Sequence, residues 1–142
     1  MKSKRILGLV IAAGQIVLAG CATKPVVEAL QQGSHTNARI AVLAQTKKVA
    51  SALVVSAYKT KTFSTSLDGI DLGGLPLQLN PKLMGVSMRM VNNPGKTVLI
   101  YEGAPGAPLF RHDGKAALGF ADGHAQLMNA QTVQAQQLHW TP

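Results

Sequence analysis

From Asn37 to Lys59 no glycine or proline interrupts the chain, and Ala, Leu, Gln and Lys recur throughout. Such residues lose little freedom in a helix, so this stretch predicts one long helix. Ser34, Thr36 and Asn37 are candidate N-caps, each able to accept a hydrogen bond from an unpaired first-turn N–H. Ile40, Leu43, Ala44, Ala50, Val54 and Ala57 form a broad apolar stripe that Val42, Val49 and Leu53 widen. Gln45, Lys47, Lys48 and Lys59 supply much of the wet side. The most apolar part, Val49 to Tyr58, is about ten residues, too short to cross a bilayer. A helix laid on a sheet is the expected use.

The sheet must come from residues beyond the helix. Thr60 to Met84 is punctuated by Asp68-Gly69, Gly73-Gly74, Pro76 and Pro81, and reads as a long irregular connection. Val86 to Val91 and Thr97 to Glu102 read as strands, with Asn92-Asn93-Pro94-Gly95 as the hairpin between them. In the second run Val98 and Ile100 alternate with Leu99 and Tyr101, so both faces are apolar and cover on both sides is expected. Gly103 to Pro108, "GAPGAP", ends that strand in a loop. The tail is polar from Gln131 to Gln137, and Trp140 beyond it is expected to dock back as an anchor. The fold class is α+β: one long N-terminal helix packed on a small antiparallel sheet.

The stretch "RHDGKAALGFADGHAQLM", Arg111 to Met128, holds two of the four histidines and two Asp-Gly pairs. Asp-Gly is a strong signal for a two-residue type I′ turn, which needs φ > 0 at both central positions. Placed at Asp122-Gly123, that turn sets Phe120 opposite Ala125 and Leu118 opposite Leu127. Ala116, Leu118 and Phe120 then face the core with Ala125 and Leu127. Ala117, Gly119, Ala121, His124, Gln126 and Met128 fall on a wet or thinly covered face. A strand from Lys115 to Ala121 separates His112 from Asp122 by about 23 Å at 3.3 Å per residue. Ligands of one zinc ion lie about 2.0–2.3 Å from it, so the two cannot share an ion unless the strand bends sharply at Gly119. No catalytic residue, metal site or cofactor is expected. Glu102 ends one strand where the next begins, so an ion pair between Glu102 and His112 is expected to close the "GAPGAP" loop; the alternative leaves both solvated. Glu102, His112, Asp122, Gly123 and His124 make up the candidate structural or ligand cluster.

The N-terminus has a different character. Met1 to Arg5 is basic, Ile6 to Leu18 is apolar, and Leu18-Ala19-Gly20-Cys21 comes next. This is the pattern of a processing segment, too short to span a bilayer. Leu-Ala-Gly-Cys resembles the lipobox of bacterial lipoproteins. The resemblance implies cleavage between Gly20 and Cys21 and acylation of Cys21, which is the only cysteine. Residues 1–20 are then the signal peptide, 21–36 the lipidated cysteine and tether, and 37–142 a single domain. Ala22 after the cysteine resembles the pattern of lipoproteins sent to the outer membrane rather than kept at the inner one, facing the periplasm. Loss of Lys2, Lys4 and Arg5 lowers the formal charge from +8 to +5. The remaining cations are scattered without interleaved aromatics, which excludes a nucleic-acid partner.

The Arg111–Met128 stretch also resembles the C-terminal signature of bacterial pseudopilin-like, prepilin-type processing-associated proteins: a His, nine residues, then Asp-Gly. His112, Asp122 and Gly123 fit that spacing, with His124 directly after. "NNPGKTVLIYEG" is similar to the family's upstream strand, with Glu102 as its acidic end, and "QTKKVASALVVSAYKTKTF" to the end of the pilin helix. The resemblance implies a pilin-like fold. The chain departs from the family where a lipobox replaces the glycine-cleaved, glutamate-bearing N-terminal helix.

These features point to two function classes. One is a non-enzymatic, lipid-anchored envelope protein, structural or interacting, accessory to a secretion or pilus-like system. The alternative is an envelope metal- or small-ligand-binding module. Radiolabelled palmitate fed to cells is expected to label the wild type and not Cys21→Ser; equal label in both would refute lipidation.

Overall fold

A computed structural model describes residues 24–142, with side-chain surroundings from His35 onward. Helix α1 spans Lys24–Thr60 and strand β1 Leu77–Leu79; a short 3-10 turn covers Met88–Met90. Strands β2 (Val98–Ala104), β3 (Ala107–Pro108), β4 (Lys115–Phe120) and β5 (Ala125–Asn129) come next, and helix α2 (Ala130–Ala135) closes the order. The sheet runs β1-β2-β4-β5, with β3 folded back on β2, and these strands all pair antiparallel. The expected α+β class, one long helix on a small antiparallel sheet, is what the chain adopts.

Helix α1 begins well before Asn37, inside the stretch expected to be a tether. Pro25 lies in the first turn, where its missing N–H has no helical partner to lose. Gly33 inside the helix costs only about 1 kcal/mol relative to alanine. Ser34, Thr36 and Asn37 are therefore helix-interior residues rather than caps. His35–Thr60 is apolar and long enough to cross a membrane by length and composition alone. Val49, Ala50, Leu53, Val54 and Ala57 are nevertheless buried, packed with Leu77, Leu79, Leu99, Ile100 and Ala121. Ile40, expected in the buried stripe, is 61% exposed.

Val86 to Val91 is not the strand its sequence suggests. Phe63 donates to Val86 O, and Gly85 and Met88 donate back to Phe63 O and Lys61 O, so this segment pairs with the chain leaving α1. Asn93 O accepts from both Lys96 and Thr97, turning the chain tightly without a hairpin. The edge of β2 is taken instead by β1, a strand hidden inside the expected connection, with Leu77 opposite Glu102 and Leu79 opposite Ile100. Asn80 anchors this arrangement. Its Nδ2 donates to Val98 O at 2.7 Å and Trp140 O at 3.1 Å. The rest of the connection is tied to α1 by Asp71, which accepts from Lys48 at 3.0 Å. The Gly73 N–H and then the Lys48 ammonium hold the Asp71 carboxyl below the usual carboxylate range.

The β4–β5 register differs by one residue from the type I′ expectation: Gly119 faces Ala125, Leu118 faces Gln126 and Ala117 faces Leu127. Gly123 has φ +90 while Asp122 does not enter the left-handed region. Gly123 donates to Phe120 O and Phe120 to His124 O, enclosing a three-residue loop with a glycine bulge. A one-residue slip exchanges the faces of β5. Met128 therefore joins Ala116, Leu118 and Phe120. The face expected to be wet, with Ala117, Gly119 and Ala121 buried, is the one turned toward α1. Both faces are covered: α1 lies on one, and Phe110, Val133, Leu138 and Trp140 close over the other. Trp140 docks edge-on to Tyr101 at 5.6 Å between ring centroids.

Helix and sheet approach most closely at Gly119. A Cβ there would lie 2.7 Å from Ile100 Cγ1 and 2.9 Å from Ala50 Cβ. The alanine methyl cannot rotate aside, so the helix itself must lift. Gly119→Ala is expected to cost about 1–3 kcal/mol, the range for an overpacked core. Urea unfolding should show a lower midpoint at an unchanged slope.

Candidate functional site

Glu102 is the one carboxylate among the described residues that is fully buried. It sits near the end of β2, with β1 on one side and β4 on the other. Burying a carboxylate costs several kcal/mol unless charge and hydrogen bonds compensate. Compensation comes from the loop between β3 and β4. Arg111 Nε donates to Glu102 Oε1 at 2.6 Å, and Arg111 Nη2 donates to the same oxygen. His112 Nε2 lies 2.5 Å from Oε2. Both carboxylate oxygens are thus satisfied, and among the described residues no buried side-chain polar atom lacks a partner.

Two adjacent residues reach one carboxylate because the backbone reverses beside them. His112 and Lys115 exchange both backbone hydrogen bonds around Asp113 and Gly114, at φ +51 and +72. This first Asp-Gly pair makes the two-residue turn with both centres left-handed that the sequence placed at Asp122-Gly123. Asp113 also accepts an ion pair from Arg39 on α1 at 3.1 Å. The turn is pinned to the helix from one side and to the sheet from the other.

Asp122, Gly123 and His124 form a separate group at the opposite end of β4. Asp122 Oδ1 accepts from the His124 backbone N–H at 3.0 Å and lies 2.5 Å from His124 Nδ1. The His124 ring stacks flat on Phe120 at 4.1 Å between centroids. Gly123 O accepts from Ser51 Oγ on α1 at 3.1 Å. Of the five candidate residues, Glu102 and His112 meet each other, and Asp122, Gly123 and His124 meet each other. The two groups do not converge. Among the described residues no three His, Cys, Asp or Glu side chains are arranged to hold a metal ion. Gly20 and Cys21 lie outside the described residues.

Arg111 is the member that sequence reasoning missed. On a strand it would point away from the face that His112 uses, so only the turn brings both to Glu102. The available signal was charge: a carboxylate at the end of a doubly apolar strand needs a permanent cation, and Arg111 is the nearest one beside His112. No family model, curated protein or solved structure matches this chain.

What the arrangement does chemically is tie β2 to the loop between β3 and β4. Both oxygens of the carboxylate are engaged by these donors, and the three side chains form a clasp. Replacing both Arg111 and His112 by alanine strands a buried charge and is expected to destabilise by about 3–5 kcal/mol. A double-mutant cycle should show the two losses coupled by more than about 0.5 kcal/mol, since both act on one carboxylate. Additive losses in chemical denaturation would show that Glu102 does not join them.

Proposed function

We propose that this chain is a lipid-anchored protein of the bacterial cell envelope, structural or interacting in role and accessory to a secretion or pilus-like system. Acylated Cys21 would hold it to the membrane, the outer one by the identity of Ala22, and the pseudopilin-like domain would face the periplasm. The observation that carries the reading is the shape and surface of α1. Its 37 residues extend about 55 Å at 1.5 Å per residue. The sheet buries only one side, while Ile40 and Val55 stand 61% and 54% exposed on the remainder. A long helix with a free apolar flank suits contact with another envelope protein. The lipobox pattern and the His-nine-Asp-Gly signature support the setting.

The alternative, a metal- or ligand-binding module built on Glu102, His112, Asp122 and His124, is less well supported. Those four side chains divide between two ends of a strand, and Glu102 is saturated by Arg111 and His112.

Photo-crosslinking amino acids at Ile40 and Val55, introduced in cells, test the interaction. Discrete adducts are expected from both positions, diminished in the Cys21→Ser background, and absent from the exposed Gln136 on the far side. No adduct at either helix position would reject the reading.

A further inference from the structure

A cavity of about 390 Å³ opens where α1 ends, between the chain leaving the helix, the Met88–Met90 turn and the Asp122 loop. Its size is in the range of small-molecule sites. Tyr58, Phe63 and Met88 furnish apolar wall, and Lys61, Arg89 and Asp122 furnish charge. None of the Glu102 clasp takes part.

The charged groups are incompletely used within the protein. Lys61 Nζ makes one hydrogen bond, to Tyr58 O at 3.0 Å, which leaves two of its three N–H donors. The Arg89 guanidinium has no ion-pair or hydrogen-bond partner among the described residues. Asp122 spends Oδ1 on His124, and its Oδ2 receives no hydrogen bond among them. Two cations and one carboxylate oxygen therefore line one apolar cavity with capacity to spare. Complementarity calls for a molecule carrying an anion, a cationic donor and an apolar body.

We propose that this cavity binds a small zwitterion, an α-amino acid with an apolar side chain. Arg89 and Lys61 take the carboxylate, Asp122 Oδ2 takes the ammonium, and Tyr58, Phe63 and Met88 receive the side chain. The site gives Asp122 of the His-nine-Asp-Gly pattern a role separate from its turn: one oxygen holds His124 and the other faces the ligand. It goes beyond the envelope-interaction reading, which rests on the outer flank of α1.

Titration of the full ¹⁵N-labelled chain in mild detergent with L-phenylalanine tests it by NMR. Two further probes each lack one charge: 3-phenylpropionate has no ammonium and phenethylamine no carboxylate. Saturable shifts are expected at the amides of Lys61, Arg89 and Gly123 with L-phenylalanine. Affinity should fall at least about tenfold for either analogue, and likewise for L-phenylalanine with Arg89→Gln or Asp122→Asn, the loss of one charge-assisted hydrogen bond. Both replaced side chains are exposed, and Asp122→Asn keeps an oxygen for the His124 N–H. Unchanged amide shifts around Glu102 will report that the variants are folded. The proposal is overturned if L-phenylalanine gives no saturable shift, if the three compounds bind alike, or if either folded variant binds as the wild type does.

Discussion

The contact on which the rest of this fold depends is the close seat of α1 on β4. Ala50 lies over Gly119, and neither residue has a rotamer to change. Small residues at Ala57, Ala117 and Ala121 continue that tight packing, and all are buried. Larger side chains then fill the space on either side: Leu53 and Val54 from the helix, Leu99 and Ile100 from β2. Because the central seat is so shallow, the helix cannot slide without opening gaps in a close-packed core. The second face is closed independently, by Trp140 against Tyr101 and by the tail that Asn80 holds through its side-chain amide. The chain thus buries both sides of a small sheet with few elements.

Burial on both faces creates the problem that the Glu102 clasp solves. A strand such as β2, apolar on both sides, offers no solvent to a carboxylate near its end. Arg111 supplies permanent charge and remains half exposed, so the pair is partly hydrated on the cation's side. His112 is far more enclosed and completes the second oxygen. Such pairs add little net stability compared with an apolar replacement, but are costly to break. Only when β2 and the turn that carries Arg111 and His112 are both in place does the carboxylate find its three donors.

Much of this is legible in the sequence, and the reasons for the rest are physical. The helix over 37–59 can be read from composition, and the doubly covered β2 from its unbroken apolar run. Glu102 and His112 could be brought together because antiparallel neighbours place one strand's end beside the next strand's start. Arg111 could not, since strand alternation sends it to the other face and only a turn reverses that. Val86 to Val91 carries strand-like residues, yet its backbone hydrogen bonds are claimed by Lys61 and Phe63, a tertiary event that no local pattern announces. The short β1 lies among Gly and Pro residues that conceal it. The two Asp-Gly pairs are locally alike. One becomes a turn with both centres left-handed and the other a glycine bulge, and the difference decides which face of β5 meets the helix.

The spacing between His112 and Asp122 also acquires a mechanical reason. Helix α1 grips β4 at both ends: Arg39 holds Asp113 beyond its start, and Ser51 holds Gly123 beyond its finish. From Arg39 to Ser51 the helix rises about 18 Å at 1.5 Å per residue. From Lys115 to Phe120 the strand advances about 17 Å at 3.3–3.4 Å per residue. The strand between the two turns is thus about as long as the helix between its two grips, and the turns beyond each strand end carry the gripped residues. One residue more or fewer in the strand would shift one grip by about 3.3 Å and reverse the faces of the residues beyond it. Helix α1 therefore holds both turns that bracket β4. The two halves of the stretch, at His112 and at Asp122, accordingly lie at opposite ends of one strand.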